Sequence, residues 1–516
     1  MMNEIKTDKL LDLNTVINLL QYKYNKYFGK SINSFSNFND AILNLQKQAL
    51  DNKVYSQFAE NLFKFCVFKS KDPNNPPLIK ISRQIVPFDI LNSVTTTTTT
   101  TILYDIKVNN KNNPDDKIYL DNPSIQKHIP RGLCFLKTTS IINDDDDDDD
   151  DIVIYSNKKF TGETLIDEDE KIKNNDDDDD DDNDDDNNDQ YKYFLKKDCK
   201  YIIEMEKING DAVHFSARYI NNKFYLIIGS KNNHMLLGKK SDISYYEEGR
   251  YEMAKIFANA LFEELDKLEE DNREILYSFL HHTRTTALCE IIRRDYQHIV
   301  PIPNDLKNKS RVVFITLTSP GIYPVNAQSL TSFHPQVLSE IMKCLGLYTA
   351  ECQCHPVENM DVLKNKIRYE LDQEGKVLYC LDDKYNTIGL LKVKTFQYIC
   401  LRALREKAIY ICNPKRKKHI SESKINDLIE KRYFEIQKWL KLPTLYTNFW
   451  QDIGIKFINW INTECVDFKL IRPQFPAIWN KYVVENKIHG LMIAVHNDFT
   501  QYLEMMEELY KKYKKV

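Results

Sequence analysis

Glu206-Lys207-Ile208-Asn209-Gly210 follows the apolar run Tyr201-Ile202-Ile203 and precedes Val213-His214-Phe215-Ser216. Apolar and alternating residues on both sides predict a strand, a short connection and a second strand. A lysine at the end of a strand, beside a glycine that lets the backbone approach a phosphate, is well placed to act as a nucleophilic amine. Lysine is the side chain whose pKa falls most readily through desolvation and neighbouring cations, and the neutral amine is the form that attacks. Taken alone, the same five residues also read as a simple turn between strands.

Working outward, Val213 to Ile220, Phe224 to Ile228, Val312 to Leu317, Val377 to Leu381 and Ile388 to Val393 are β-branched or alternating and predict strands. Between them, Tyr251 to Leu268 places Met253, Ile256, Phe257, Leu261 and Leu265 on one side of a helix. Helices interposed irregularly among grouped strands predict an α+β fold with mainly antiparallel sheets flanked by helices. From Thr395 onward the pattern turns almost wholly helical, which predicts an all-α C-terminal domain. Leu10, Leu11, Val16, Ile17, Leu19 and Leu20, then Ile42, Leu43 and Leu45, have helical spacing near the start. The expected organisation is a largely helical lead-in over 1–114, a central domain over 115–405 and a helical domain over 406–516.

The formal net charge of −5 hides an uneven distribution. Asp144 to Asp151 is an unbroken run of eight aspartates, and Asp176 to Asp189 holds eleven more, broken only by asparagines. Without these 19 acids the balance is +14, so the body of the chain is basic and suited to polyanionic partners. Thr95 to Thr101 is a homopolymer. Like charges and low complexity cannot offset the entropy of ordering, which predicts disorder over about 92–101, 140–151 and 166–190. A hydrophobic content of 42% excludes a wholly disordered chain. No run reaches the roughly 18 apolar residues of a membrane span. The N-terminus lacks a secretory pattern, and the eleven cysteines form no framework. The expected location is intracellular, cytoplasmic or nuclear.

Further elements follow one another along the chain: Pro130-Arg131-Gly132-Leu133-Cys134-Phe135, Lys158-Lys159-Phe160-Thr161-Gly162-Glu163, Ile227-Ile228-Gly229-Ser230-Lys231, Leu288-Cys289-Glu290-Ile291-Ile292, Glu374-Gly375-Lys376-Val377 and Leu391-Lys392-Val393-Lys394. With Lys207-Ile208-Asn209-Gly210 they resemble, in order, the motifs of the covalent nucleotidyltransferases. The Arg-Gly and Lys-Phe elements resemble those of ATP-dependent RNA ligases of the phage tRNA-repair and fungal tRNA ligase type. The resemblance covers about residues 115 to 405. It departs in having one aromatic, Phe160, where the family often has two, and Asn209 where Asp is commoner.

The resemblance implies an adenylation domain, ATP and Mg²⁺ as cofactors, and RNA with 5′-phosphate and 3′-hydroxyl ends as partner, tRNA among the RNAs that fit. Lys207 would become lysyl-AMP. Lys392 and Lys394, on one face of a strand, would stabilise charge on the α-phosphate and depress the pKa of Lys207. Arg131, Lys159 and Lys231 would meet the triphosphate or the RNA 5′-phosphate, with Phe160, Asn209, Gly210 and Gly375 completing the ATP site. Glu290 would accept from the ribose hydroxyls, and Glu374 would bind the metal. Kinase and phosphodiesterase domains are not visible, so separate end-healing enzymes are expected. The rival readings are a catalytically inactive RNA-binding protein with a ligase fold and a GTP-using capping-type nucleotidyltransferase.

Other constellations are weaker. Cys352, Cys354 and His355, with Cys344 upstream, offer soft metal ligands, but not as two separated pairs. Gly238-Lys239-Lys240-Ser241 lacks the glycine spacing of a phosphate loop. The basic cluster Lys415-Arg416-Lys417-Lys418 suits a nuclear signal, a nucleic-acid contact or a solvated turn. Trp439, Trp450, Trp460 and Trp479 sit among Leu, Ile and Phe and are expected in a core.

Overall fold

The computed structural model describes residues 9–29, 52–71, 77–91, 99–111, 115–140, 151–160, 196–302, 306, 310–320, 334–417, 420–488 and 492. The fold is α+β, with three antiparallel sheets and a helical C-terminal region. The first sheet has the order β1 (Ile79–Ile85), β2 (Thr99–Val108), β3 (Leu133–Ser140), β4 (Asp151–Tyr155). The second sheet contains β6 (Asp211–Ile220), β7 (Lys223–Gly229), β8 (His234–Leu237), β9 (Thr286–Ile292) and β10 (Arg311–Thr318), arranged β10-β9-β6-β7-β8. The third contains β5 (Tyr201–Glu206), β11 (Cys352–Pro356), β12 (Gly375–Leu381) and β13 (Thr387–Lys394), arranged β11-β5-β12-β13.

Each sheet is placed by its side-chain alternation. In β3, Cys134 and Leu136 join the core formed with the second sheet, whereas Leu133 and Phe135 join the core under the helix Asn52–Ser70. In β5, Ile202 packs with the helix Met360–Arg368, while Ile203 and Met205 turn towards Val313 of β10. The second sheet is buried on both faces, which is why β6 and β7 read as nearly continuous apolar runs. The helices Glu252–Leu265 and Glu270–Thr283 pack into the same core as this sheet. The chain therefore leaves the third sheet at Glu206 and, after Lys207-Ile208-Asn209-Gly210, enters the second at Asp211.

Several expectations change. The lead-in is not a separate helical unit, because β2 pairs with β3 across the expected boundary at 114. The helix Leu13–Phe28 puts Val16, Leu20 and Tyr24 into the main core. Thr99 to Thr101 extend β2, with Thr101 buried. Hydrogen bonding to β3 carries the ladder into the homopolymer, which no side-chain pattern announces. Asp151 begins β4, whereas the rest of the expected segment from 141 to 150 lies outside the described residues, as do 92–98 and 166–190. Ile42, Leu43 and Leu45 also lie outside them. The C-terminal boundary at 405 falls inside the helix Phe396–Ile411, whose N-cap is Thr395.

The helices Phe396–Ile411, Glu422–Leu440, Thr444–Thr463 and Phe475–Glu485 enclose their own core. Trp450 and Trp479 are buried in it, while Trp439 and Trp460 pack at its margin. Among the described residues, no helix is long and apolar enough to cross a membrane.

Candidate active site at the end of strand β5

The connection between β5 and β6 lines a cavity of about 150 Å³ that includes Lys207, Asn209, Arg293, His298 and Glu374. The Lys207 amide donates to the Gly375 carbonyl at 2.9 Å, which fixes the nucleophile candidate at the start of β12. Its Nζ lies 2.7 Å from Glu374 Oε1. The second oxygen, Oε2, accepts from Asn209 Nδ2 at 2.6 Å. Asn209 in turn accepts at Oδ1 from the backbone amides of Ile299 and Val300, both at 2.9 Å. Lysine, asparagine and glutamate from distant segments therefore meet in one hydrogen-bonded group.

The glycines have steric roles. A Cβ on Gly210 would lie 2.5 Å from the Ile291 carbonyl oxygen, so this glycine admits the β9 backbone beside β6. Gly375 has φ +135°, and a Cβ there would lie 2.0 Å from the Val393 carbonyl oxygen. Both spare the backbone a collision, which is a different use from the phosphate approach expected of Gly210.

Glu290 sits opposite Ala212 on β9, and its Oε2 is buried with no hydrogen-bond partner among the described residues. Burial pushes its carboxyl up to about 8; Lys207 opposes this, and the Glu374 and Asp211 carboxylates reinforce it. Its ordinary value is 4.5. A raised carboxyl contributes stability that is complete below 4.5 and lost as pH rises through about 8. Glu290→Gln removes that loss. The excess of its melting temperature over wild type should therefore widen from about pH 5 to about pH 9, as thermal scans would measure. A constant difference would show that Glu290 ionises in the folded chain as it does in the unfolded one.

Lys392 and Lys394 are buried on β13, opposite Val377 and Gly375 of the strand that begins at the site. Lys392 Nζ lies 5.0 Å from the centre of the Phe160 ring, and Phe160 packs against the core that contains Ile208. Lys394 Nζ lies 5.6 Å from the Tyr398 ring, whose hydroxyl accepts from Asn209 Nδ2 at 3.5 Å. Lys159, next to Phe160 in the sequence, is also buried. Its neighbour Lys158, which sequence reasoning did not single out, is lowered to about 8 by burial and by Lys127.

Arg131 and Lys231 are brought together, but at another place. They line a second cavity of about 120 Å³ with Lys107 and Asp115, and this cavity shares no lining residue with the first. Lys231 Nζ is 3.2 Å from Asp115 Oδ2.

Sequence reasoning missed the segment from Arg293 to Ile302, which walls the first cavity. Arg293 is buried, 3.6 Å from Asp211 Oδ2, and His298 Nε2 is 3.3 Å from Asp211 Oδ1. The available signal was the Arg293-Arg294 pair directly after Glu290-Ile291-Ile292. This wall is held by the C-terminal helices. Gln297 donates its amide to the Pro473 carbonyl at 2.7 Å, and Gln474 Nε2 donates to the Arg294 and Asp295 carbonyls at 3.1 and 3.2 Å. Ile299 belongs to the helical core. Gln474→Ala should loosen the wall by about 1 kcal/mol, the usual net value of such bonds. A nucleotide titration should show weaker binding with little change in melting temperature.

Cys352 and Cys354 alternate with His355 along β11, and His355 Nε2 lies 3.1 Å from Glu204 Oε2. A strand sends i and i+1 to opposite faces, so the cysteines and the histidine do not converge on an ion.

Residues 192–405 match the family model described as a domain of unknown function (DUF7920). No curated protein matches the sequence. Among solved structures, the chain is similar to an archaeal ATP-dependent RNA ligase, with 13% identity and a TM-score of 0.35. That match covers 69% of this chain and 71% of the other. It is also similar to a Naegleria gruberi RNA ligase in an apo mutant form, with 11% identity and a TM-score of 0.26, over 40% of this chain and 51% of the other.

Proposed function

We propose that the chain is an ATP-dependent RNA ligase that forms lysyl-AMP at Lys207, transfers AMP to an RNA 5′-phosphate and seals it to a 3′-hydroxyl. One observation carries the reading: Lys207, Asn209 and Glu374, singled out by motif order, line one cavity, and Glu290 feels the charges of Lys207 and Glu374. The chemistry follows from their arrangement. Lys207 Nζ loses a proton, Glu374 Oε1 at 2.7 Å being the nearest acceptor, and attacks the α-phosphorus. The P–O bond to pyrophosphate breaks as the P–N bond forms. Lys392 and Lys394 supply fixed positive charge from a buried strand, where it is screened less than in water. Arg293 adds a buried guanidinium in the wall.

The carboxylates fit a hard divalent ion. Glu374 is buried and Glu290 has an unsatisfied oxygen, and Mg²⁺ commonly takes one or two carboxylates with water and phosphate as its other ligands. When bound there, Mg²⁺ would neutralise charge on the pyrophosphate as it leaves. The second cavity, with Lys107, Arg131 and Lys231, suits an anionic group held apart from the reacting phosphorus, and the RNA 5′ end is the substrate part that brings one.

The test is incubation with labelled ATP or GTP, then with RNA carrying a 5′-phosphate and a 3′-hydroxyl. ATP-dependent protein labelling followed by sealed RNA is expected. RNA binding without labelling would favour an inactive RNA-binding protein, and labelling by GTP alone a capping-type enzyme.

A further inference from the structure

The first and second sheets bury four polar side chains between them that the adenylation chemistry does not use. Asp105 of β2 and Cys134 of β3 are directly opposed in the register. His214 of β6 and His234 of β8 are each paired with Gly229 of β7, so the two imidazoles flank a residue without a side chain. A Cβ on Gly229 would lie 2.7 Å from a His234 ring carbon, and one on Gly132 would lie 2.4 Å from a His214 ring carbon. The rings stack with centroids 5.8 Å apart. All four residues are at most 3% exposed.

Their hydrogen bonding is incomplete. His234 Nδ1 is 2.7 Å from Asp105 Oδ1, and His214 Nε2 is 3.1 Å from Ser156 Oγ. The other nitrogen of each ring, His234 Nε2 and His214 Nδ1, is buried without a partner among the described residues. Polar atoms left this way in a dry interior destabilise the fold. A cation in place of the proton between His234 Nδ1 and Asp105 Oδ1 would draw both groups onto one ion. One ligand atom from each of Asp105, Cys134 and His234 lies within 4.8 Å of the others.

We infer that Asp105, Cys134 and His234, with the His214 ring stacked beside them, form a structural site for a zinc-type divalent cation that staples the two sheets. Nitrogen, sulfur and oxygen donors together suit a borderline-soft ion, whereas Mg²⁺ and Ca²⁺ prefer oxygen alone. Three protein donors from the two sheets would hold the ion, with one tetrahedral position left to a buried water. Burial and the Asp105 carboxylate keep the Cys134 thiol well above its ordinary range, so a cation is what permits the thiolate to form. On binding, the Cys134 proton passes to solvent and the carboxylate and thiolate balance the charge of the ion.

The placement gives the site a purpose. Cys134 stands three residues after Arg131, and His234 three after Lys231. The ion would tie together the two segments that bring these cations to the second cavity. Only that consequence rests on the proposed function; the site itself does not.

The test uses the full chain with any affinity tag removed. Elemental analysis after gel filtration should find about one zinc per chain, and chelation should lower the melting temperature. With Co²⁺ in place of zinc, a thiolate-to-cobalt band in the near ultraviolet and strong visible bands are expected. Cys134→Ser should lose the sulfur band and most of the metal, while Cys354→Ser, at an exposed thiol, should keep both. The inference is overturned if folded wild type takes up neither zinc nor cobalt, or if Cys134→Ser keeps as much zinc as wild type. Should Cys134→Ser fail to fold, the wild-type cobalt spectrum decides, since a spectrum without the sulfur band overturns the site. ATP labelling is read separately, so its failure and the failure of the metal site are distinguishable.

Discussion

Lys207→Ala abolishes covalent labelling by ATP if the proposed chemistry is right, a loss of at least about 10³-fold in the adenylation rate. Alanine at this position offers no amine to form the bond to phosphorus. Lys207→Arg should be equally inactive, because the guanidinium keeps its proton at any working pH. The change should reach the chemistry more than the fold. The Lys207 side chain keeps 22% of its surface exposed, and Glu374 retains its bond to Asn209 when Lys207 is lost. Lys392→Ala should retain the nucleophile and lose part of the transition-state charge, giving a fall of about 10²-fold. The measurement is single-turnover labelling of each variant, with circular dichroism to confirm folding. Labelling of Lys207→Ala at the wild-type rate would move the nucleophile elsewhere and end the reading.

Asp151→Ala should destabilise the protein by about 3–5 kcal/mol, the cost of leaving a buried charge without its partner. Its Oδ2 lies 2.6 Å from Arg218 Nε, its Oδ1 lies 3.1 Å from Arg284 Nη1, and Tyr55 donates to it at 3.0 Å. Arg218 is 4% exposed and cannot turn to water when the carboxylate is removed. Burial by itself would raise the Asp151 carboxyl. Arg218 and Arg284 overcome that and hold it at about 2, below its ordinary 3.8. A lowered carboxyl contributes stability that is present above 3.8 and lost as pH falls towards about 2, so wild type and Asp151→Ala should converge in acid. Deleting 144–150 together with 176–189 while keeping Asp151 should leave the melting temperature and ATP labelling intact. It should tighten RNA binding at low salt, or leave it unchanged, because a like-charged ribbon is gone. Extending the deletion by the one residue Asp151 should cost as much as Asp151→Ala. Denaturant unfolding of the three variants compares them directly, and equal stability of Asp151→Ala and wild type would show that the ion pair does not form.

The strands around Lys207 were legible because burial on a pleated surface leaves a local mark. Val213 to Ile220 and Ile388 to Val393 show it in their side chains, and β6 and β13 lie there. The helical C-terminal region was legible in the same way, from its spacing. The site was half legible. Glu290 and Glu374 could be found through motif order; Glu374 lines the cavity of Lys207, and Glu290 is close enough to feel the Lys207 charge. Arg131 and Lys231 came from the same motif order and line a different cavity. Arg293 had only the Arg293-Arg294 pair after Glu290-Ile291-Ile292 to mark it and His298 less, and they reach the wall because Asn209 and the C-terminal helices hold their segment in place.

The eight aspartates from 144 to 151 show where sequence stops being sufficient. Composition, charge and alternation along the chain determine that this protein is basic outside two acidic tracts, α+β in its centre and helical at its end. They cannot separate Asp151 from the seven identical residues before it. Only the tertiary structure sets one of the eight against Arg218 and Arg284, because an ion pair depends on the distance between residues that the chain keeps far apart.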